Sequence, residues 1–154
     1  MFTLDLCKIK CAKASLESAK EASDKAKEAL KPILQDFDLM ADVLNHFTVY
    51  LSARSQKMNA ERRKQFLFII MYLFHPSALL GAAMPRGFRE RLKNLLHVEA
   101  PTIISNNTND LLFLYYHYRD FRSSVNEAYS YIAQEMNIED RAGWWSEEDK
   151  RELR

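Results

Sequence analysis

Apolar residues recur at alternating steps of three and four from Ile9 to Leu51: Ile9, Ala12, Leu16, Ala19, Ser23, Ala26, Leu30, Ile33, Phe37, Met40, Leu44, Phe47 and Leu51, with Ser23 the one polar member. This is the spacing of a coiled-coil seam, in which each apolar knob fills a hole on a facing helix. It predicts helix through the first third of the chain. Pro32 lies off the seam. It removes a backbone donor, and because the apolar phase survives across it, the expectation is a kink. The seam also changes character along its length. From Ile9 to Ala26 it is thin and Ala-rich, and from Leu30 to Leu51 it is thick with Leu, Phe and Met. The thick half reads as domain core. The thin half buries too little area to stand as a lone helix and needs a partner. One candidate is a second 3-4 series in the same chain, Leu111, Leu114, Tyr118, Phe121, Val125, Ala128 and Ile132, continuing to Met136. The other is a second copy, meeting through Ile9, Ala12, Leu16, Ala19 and Ala26.

Composition supports the helical reading. Among 154 residues there are only 3 Gly and 4 Pro, too few to punctuate a sandwich, a barrel or an α/β protein with glycine-rich turns. An all-α fold follows, in three parts: an arm over 1–31, a helical core over 32–136 and a polar tail over 137–154. The longest apolar run, Phe66 to Phe74, is nine residues, against the roughly 20 that a membrane-spanning helix needs. The first residues, MFTLDLCKIKCAK, lack the apolar stretch of a secretory signal, and two cysteines make no disulfide framework. The expectation is a cytoplasmic, reduced protein that does not engage a membrane.

A formal net charge of +1 hides a segregation. Residues 1–53 carry seven Lys against eight acidic residues, residues 54–98 carry nine Lys and Arg against two Glu, and residues 99–154 carry six against eleven. A basic middle of this kind is either a polyanion footprint, which releases counterions on binding, or a patch neutralised by the acidic tail.

Within that middle, Asn59 suits a helix N-cap and Glu61 the first turn of a helix that then runs apolar on every side from Phe66 to Phe74. Such a helix belongs at the centre of the domain. His75, Pro76 and Ser77 end it, a short helical turn around Ala78 to Leu80 follows, and Gly81 with Pro85 marks the next boundary. The segment RGFRERLKNLL, Arg86 to Leu96, places Phe88, Leu92 and Leu95 on one face and Arg86, Glu90 and Lys93 opposite, with Arg89 beside them. A four-residue connection, His97 to Ala100, leads to Pro101, a residue favoured at the first helical position.

Over residues 86–112 this layout resembles a helix-turn-helix. In that family the first helix crosses the phosphate backbone and the second lies in the major groove. Leu92, Leu96, Val98 and Ile103 fall at its packing positions, while Lys93, His97 and Asn106 stand where the pattern favours a small residue, glycine and a core residue. The resemblance implies that Arg62, Arg63, Lys64, Arg86, Arg89 and Lys93 position phosphates. It also implies that Thr102, Ser105, Asn106 and Asn109 face base edges, where Asn pairs bidentately with adenine. The competing reading makes SNNTND a polar turn in which Asn107 caps the long helix that follows.

Enzyme constellations do not emerge, and neither a metal nor a cofactor is expected. His46, His75, His97 and His117 are scattered without metal-ligand spacing. Cys7 and Cys11 share one helical face and read as surface thiols, since two ligands do not complete a zinc site. Tyr115, Tyr116, Tyr118, Tyr129 and Tyr131 either stack single-stranded bases or belong to core and interface. In the tail, Trp144 and Trp145 precede a capping-box pattern, Ser146 to Asp149, and read as anchors on the domain, a second copy or a protein partner. The functional expectation is a non-enzymatic, oligomeric helix-turn-helix protein that binds DNA, a regulator or a DNA-recognition subunit of a phage or mobile element. The alternative is a helical adaptor that assembles through its seam without nucleic acid.

Overall fold

Every regular element in the computed structural model, which describes residues 6–138, is helical, and no strand occurs among the described residues. The all-α expectation and the long N-terminal helix both hold. By its internal contacts the chain divides into two units, Met1–Lys31 and Pro32–Arg154.

The first unit is one helix, α1, Leu6–Ala29, rich in Ala, Lys and Glu and free of Gly and Pro, a composition of high helix propensity. Over 24 residues it is roughly 36 Å long. None of its residues is buried, and Cys7 and Cys11 are free thiols on its surface. Leu30 N–H still reaches Ala26 O at 2.9 Å, and Lys31 N–H donates to Glu28 O at 3.2 Å in a closing turn.

Here the expectation of a kink is corrected to a break. Residues 31–36 leave the helical path before a 3-10 turn, Phe37–Leu39, that runs into α2, Met40–Ala53. The proline ring has no N–H and disfavours helical backbone in the residue before it. The released strand of chain then finds other acceptors: Ile33 and Leu34 both donate their N–H to the carbonyl of Leu73, each at 2.9 Å. Asp36 restarts the helical path by accepting from Asp38 N–H at 3.0 Å.

The second unit is built around α3, Ala60–Phe74. Asn59 caps it, its side chain accepting from Arg62 N–H at 2.8 Å. From Gln65 to Phe74 every residue but Tyr72 is buried, so α3 needs neighbours on all sides. These are α2; a 3-10 turn, Pro76–Leu80; α5, Pro101–Thr108; α6, Leu111–His117; and α7, Arg119–Glu135. The fourth helix, α4, Phe88–Leu96, packs chiefly on α5. Aromatic contacts seal the joints, with Phe37 edge-on to Phe88 at 5.3 Å and Phe68 stacked on Tyr115 at 4.8 Å.

The second 3-4 series is likewise not one helix. It breaks at Tyr118, whose extended backbone (φ −117, ψ 107) closes α6 and opens α7: its N–H donates to Leu114 O and its carbonyl accepts from Arg122 N–H. The break turns Phe121, Val125, Ala128 and Ile132 onto α2 and α3, where they are buried. That stripe completes the core of its own unit, and Tyr118 itself is exposed.

Tyr50 ties α2 to α7. Its hydroxyl donates to Glu127 Oε2 at 3.3 Å, Tyr131 packs at 5.8 Å, and the Arg54 guanidinium lies 3.8 Å from its ring centroid. Burial raises its pKa above the ordinary 10.0, with Glu127 acting in the same direction and Arg54 opposing.

Two predictions follow from this packing. Phe66 is fully buried, so Phe66→Ala should lower unfolding free energy by about 3–5 kcal/mol in a urea titration. A raised folded pKa at Tyr50 gives stability that is full below pH 10 and is lost as pH rises through the folded value. Tyr50→Phe should therefore lose less stability than the wild type between pH 8 and pH 11 when both are titrated with urea.

Candidate nucleic-acid interface

The helix α4 begins where Gly87 adopts φ +83, a conformation that favours glycine, and lets Phe88 N–H fold back onto Pro85 O at 3.1 Å. Phe88 and Leu92 are fully buried, Leu95 and Leu96 partly so, and Arg89, Glu90, Arg91 and Asn94 face outward. The helix ends at His97, held at φ +54, while Val98 N–H reaches back to Lys93 O at 3.2 Å, a Schellman-type closure. After Ala100, in extended conformation, Pro101 opens α5.

Ile104 and Thr108 anchor α5 in the core, and the Thr108 hydroxyl is satisfied by Ile104 O at 2.7 Å. The opposite face is Thr102, Asn106 and Asn109, all exposed, at the spacing of one helical stripe. Ser105 stands at the edge of that stripe. It is half-buried and accepts a hydrogen bond from Arg89 Nη1 at 3.0 Å. The polar-turn reading is corrected here: Ser105, Asn106, Asn107 and Thr108 are helical, and Asp110, not Asn107, stands at the cap position of α6. Polar side chains that would otherwise compete with the backbone are turned outward to solvent or bonded to a neighbour.

Arg89, Ser105 and Asn109 also line an open cleft of about 270 Å³. Its far wall is the small-residue segment Gly81, Ala82, Ala83 and Met84. His75 braces that wall, its Nε2 lying 3.0 Å from Ala83 O and 3.3 Å from Ser77 Oγ.

The six cations read as phosphate contacts divide into two groups. Lys64 is engaged by Asp110 at 3.0 Å, and Lys93 lies 4.0 Å from Glu90. Arg62 donates to the Lys57 carbonyl at 3.1 Å, Arg89 to Ser105, and Arg63 and Arg86 have no ion pair; none of these four meets a carboxylate among the described residues. The Lys64–Asp110 pair joins the start of α3 to the cap position of α6, just after α5, and Arg89 reaches α5 at Ser105.

One residue that sequence reading did not single out is Arg91, which donates to Asp38 at 2.8 Å and fastens α4 to the turn before α2. Its partner is 53 residues away, and no local pattern signals it. The seam residues Ile9, Ala12, Leu16, Ala19 and Ala26 are exposed on α1, whereas Trp144 and Trp145 lie outside the described residues. Among the described residues no group of three or more His, Cys, Asp or Glu could hold a metal ion, and no helix is long and apolar enough to cross a membrane.

The left-handed backbone of His97 generates a prediction. Its side chain is exposed, and a non-glycine residue in this region carries roughly 1–2 kcal/mol of strain. His97→Gly should leave the α4–α5 geometry intact and stabilise the protein by up to about 1 kcal/mol, after allowance for the greater freedom of glycine in the unfolded chain, as read by thermal unfolding. No family model, no curated protein and no solved structure matches this chain.

Proposed function

We propose that the chain is a non-enzymatic DNA-binding protein that uses α4, the His97–Ala100 turn and α5 as a helix-turn-helix, acting as a regulator or as the DNA-recognition subunit of a larger assembly. The observation that carries this reading is the outward stripe Thr102, Asn106 and Asn109 on a helix whose other face is anchored by Ile104 and Thr108, with Arg89 bonded to its edge. A short helix of this kind fits the major groove, and its Asn and Thr side chains match base-edge donors and acceptors. In this reading Arg86, Arg89, Arg62 and Arg63, none of which meets a carboxylate among the described residues, contact phosphates. Lys64 and Lys93, held by carboxylates, contribute less.

Four arginine–phosphate contacts correspond to a slope of log affinity on log salt of roughly −3.6 on B-form DNA. Fluorescence anisotropy of the purified protein with random duplex DNA tests this. Binding should be steep in salt and abolished in Arg86→Glu/Arg89→Glu, while Lys93→Glu has the smaller effect. Asn106→Ala should leave the salt slope unchanged and, on a selected site, reduce discrimination by about 1–3 kcal/mol. A folded wild-type protein that ignores duplex DNA at low salt would overturn the reading.

A further inference from the structure

The seam of α1 is bordered by charges that its apolar packing does not require. Ile9, Leu16 and Ser23 form one seam row and Ala12, Ala19 and Ala26 the other. The residues next to the second row are Lys13, Lys20 and Lys27, and those preceding the first are Lys8, Ser15 and Ala22. The acidic residues Glu17, Glu21, Asp24 and Glu28 occupy outer positions. Large apolar side chains on the seam side are open to solvent, with Leu6, Ile9 and Leu16 being 60%, 61% and 72% exposed. Lys13, Lys20 and Lys27 form no ion pair with a described residue.

Edge charges select the partner of a seam. In a parallel pair of copies, Lys8 would face Lys13 of the other chain, and Lys20 and Lys27 would face only Ser15 and Ala22. In an antiparallel pair the three-lysine edge would face itself. Neither arrangement yields one attractive pair, and both contain repulsive ones. An anionic bilayer would meet the same lysines, but a stripe made largely of alanine offers it little apolar area to bury. Alanine at the seam instead admits a second helix at close range.

We propose that α1 is a docking helix for an acidic amphipathic helix of a different protein, whose apolar stripe lies along Ile9 to Ala26 and whose carboxylate row pairs with Lys13, Lys20 and Lys27. This inference does not rest on the DNA reading, and it replaces self-association as the role of Ile9, Ala12, Leu16, Ala19 and Ala26.

The test uses the full-length protein and two fluorescent synthetic peptides of residues 6–31. One has the native sequence, and the other carries Lys13→Glu, Lys20→Glu and Lys27→Glu, which in antiparallel register sets three carboxylates against the three lysines. The substituted peptide should bind at least tenfold more tightly at low salt, with the preference shrinking as salt rises. The preference should reverse when the protein itself carries the three Lys→Glu changes, with its helical content by circular dichroism unchanged. Equal binding of the two peptides, or none of either, overturns the proposal. So does a wild-type dimer in sedimentation equilibrium that Leu16→Glu dissociates, or tighter binding to phosphatidylserine vesicles than to the acidic peptide.

Discussion

The fold depends on one demand: a helix with almost no outward face has to be enclosed. Between Gln65 and Phe74 only Tyr72 escapes burial, so four further helices and a 3-10 turn are recruited around α3. The chain also bends at Tyr118, and on either side of the bend Leu111 of α6 and the Phe121–Ile132 stripe of α7 are both buried. The same demand orients the candidate interface. Once Ile104 and Thr108 are anchored in the core, the stripe on the far side of α5 has nowhere to point but outward.

What was legible in the sequence was local. The nine-residue apolar run, the Asn59 cap, the glycine and proline boundaries and the α5 stripe all declare themselves within a few residues, since they arise from periodicity and backbone chemistry. The interruptions at Pro32 and Tyr118 were not legible as breaks. A 3-4 phase is blind to whether the helix carrying it is continuous, and at Tyr118 neither glycine nor proline marks the bend. The Lys64–Asp110 and Arg91–Asp38 pairs span 46 and 53 residues, so their partners are set by tertiary packing. Ser105 was read as one of four equivalent outward groups, but it is half-buried at the edge of the stripe and bonded to Arg89.

Of the six cations assigned to the interface, the two lysines lie near carboxylates and the four arginines do not, although Arg91 beside them pairs with Asp38. An arginine offers a planar fork of donors suited to phosphate oxygens, and a lysine a compact and strongly hydrated point charge. A modest net charge is therefore compatible with a localised anion-binding face, because total charge averages over groups that are already neutralised within the fold.

The carbonyl of Leu73 accepts two consecutive N–H groups just past Pro32. Leu73 is fully buried at the end of α3, and the last carbonyls of a helix have no partner within it. The segment after Pro32 therefore closes the C-terminal end of α3 from outside the helix, and a backbone donor lost at Ile33 or Leu34 would weaken the boundary of the buried helix without touching its side chains.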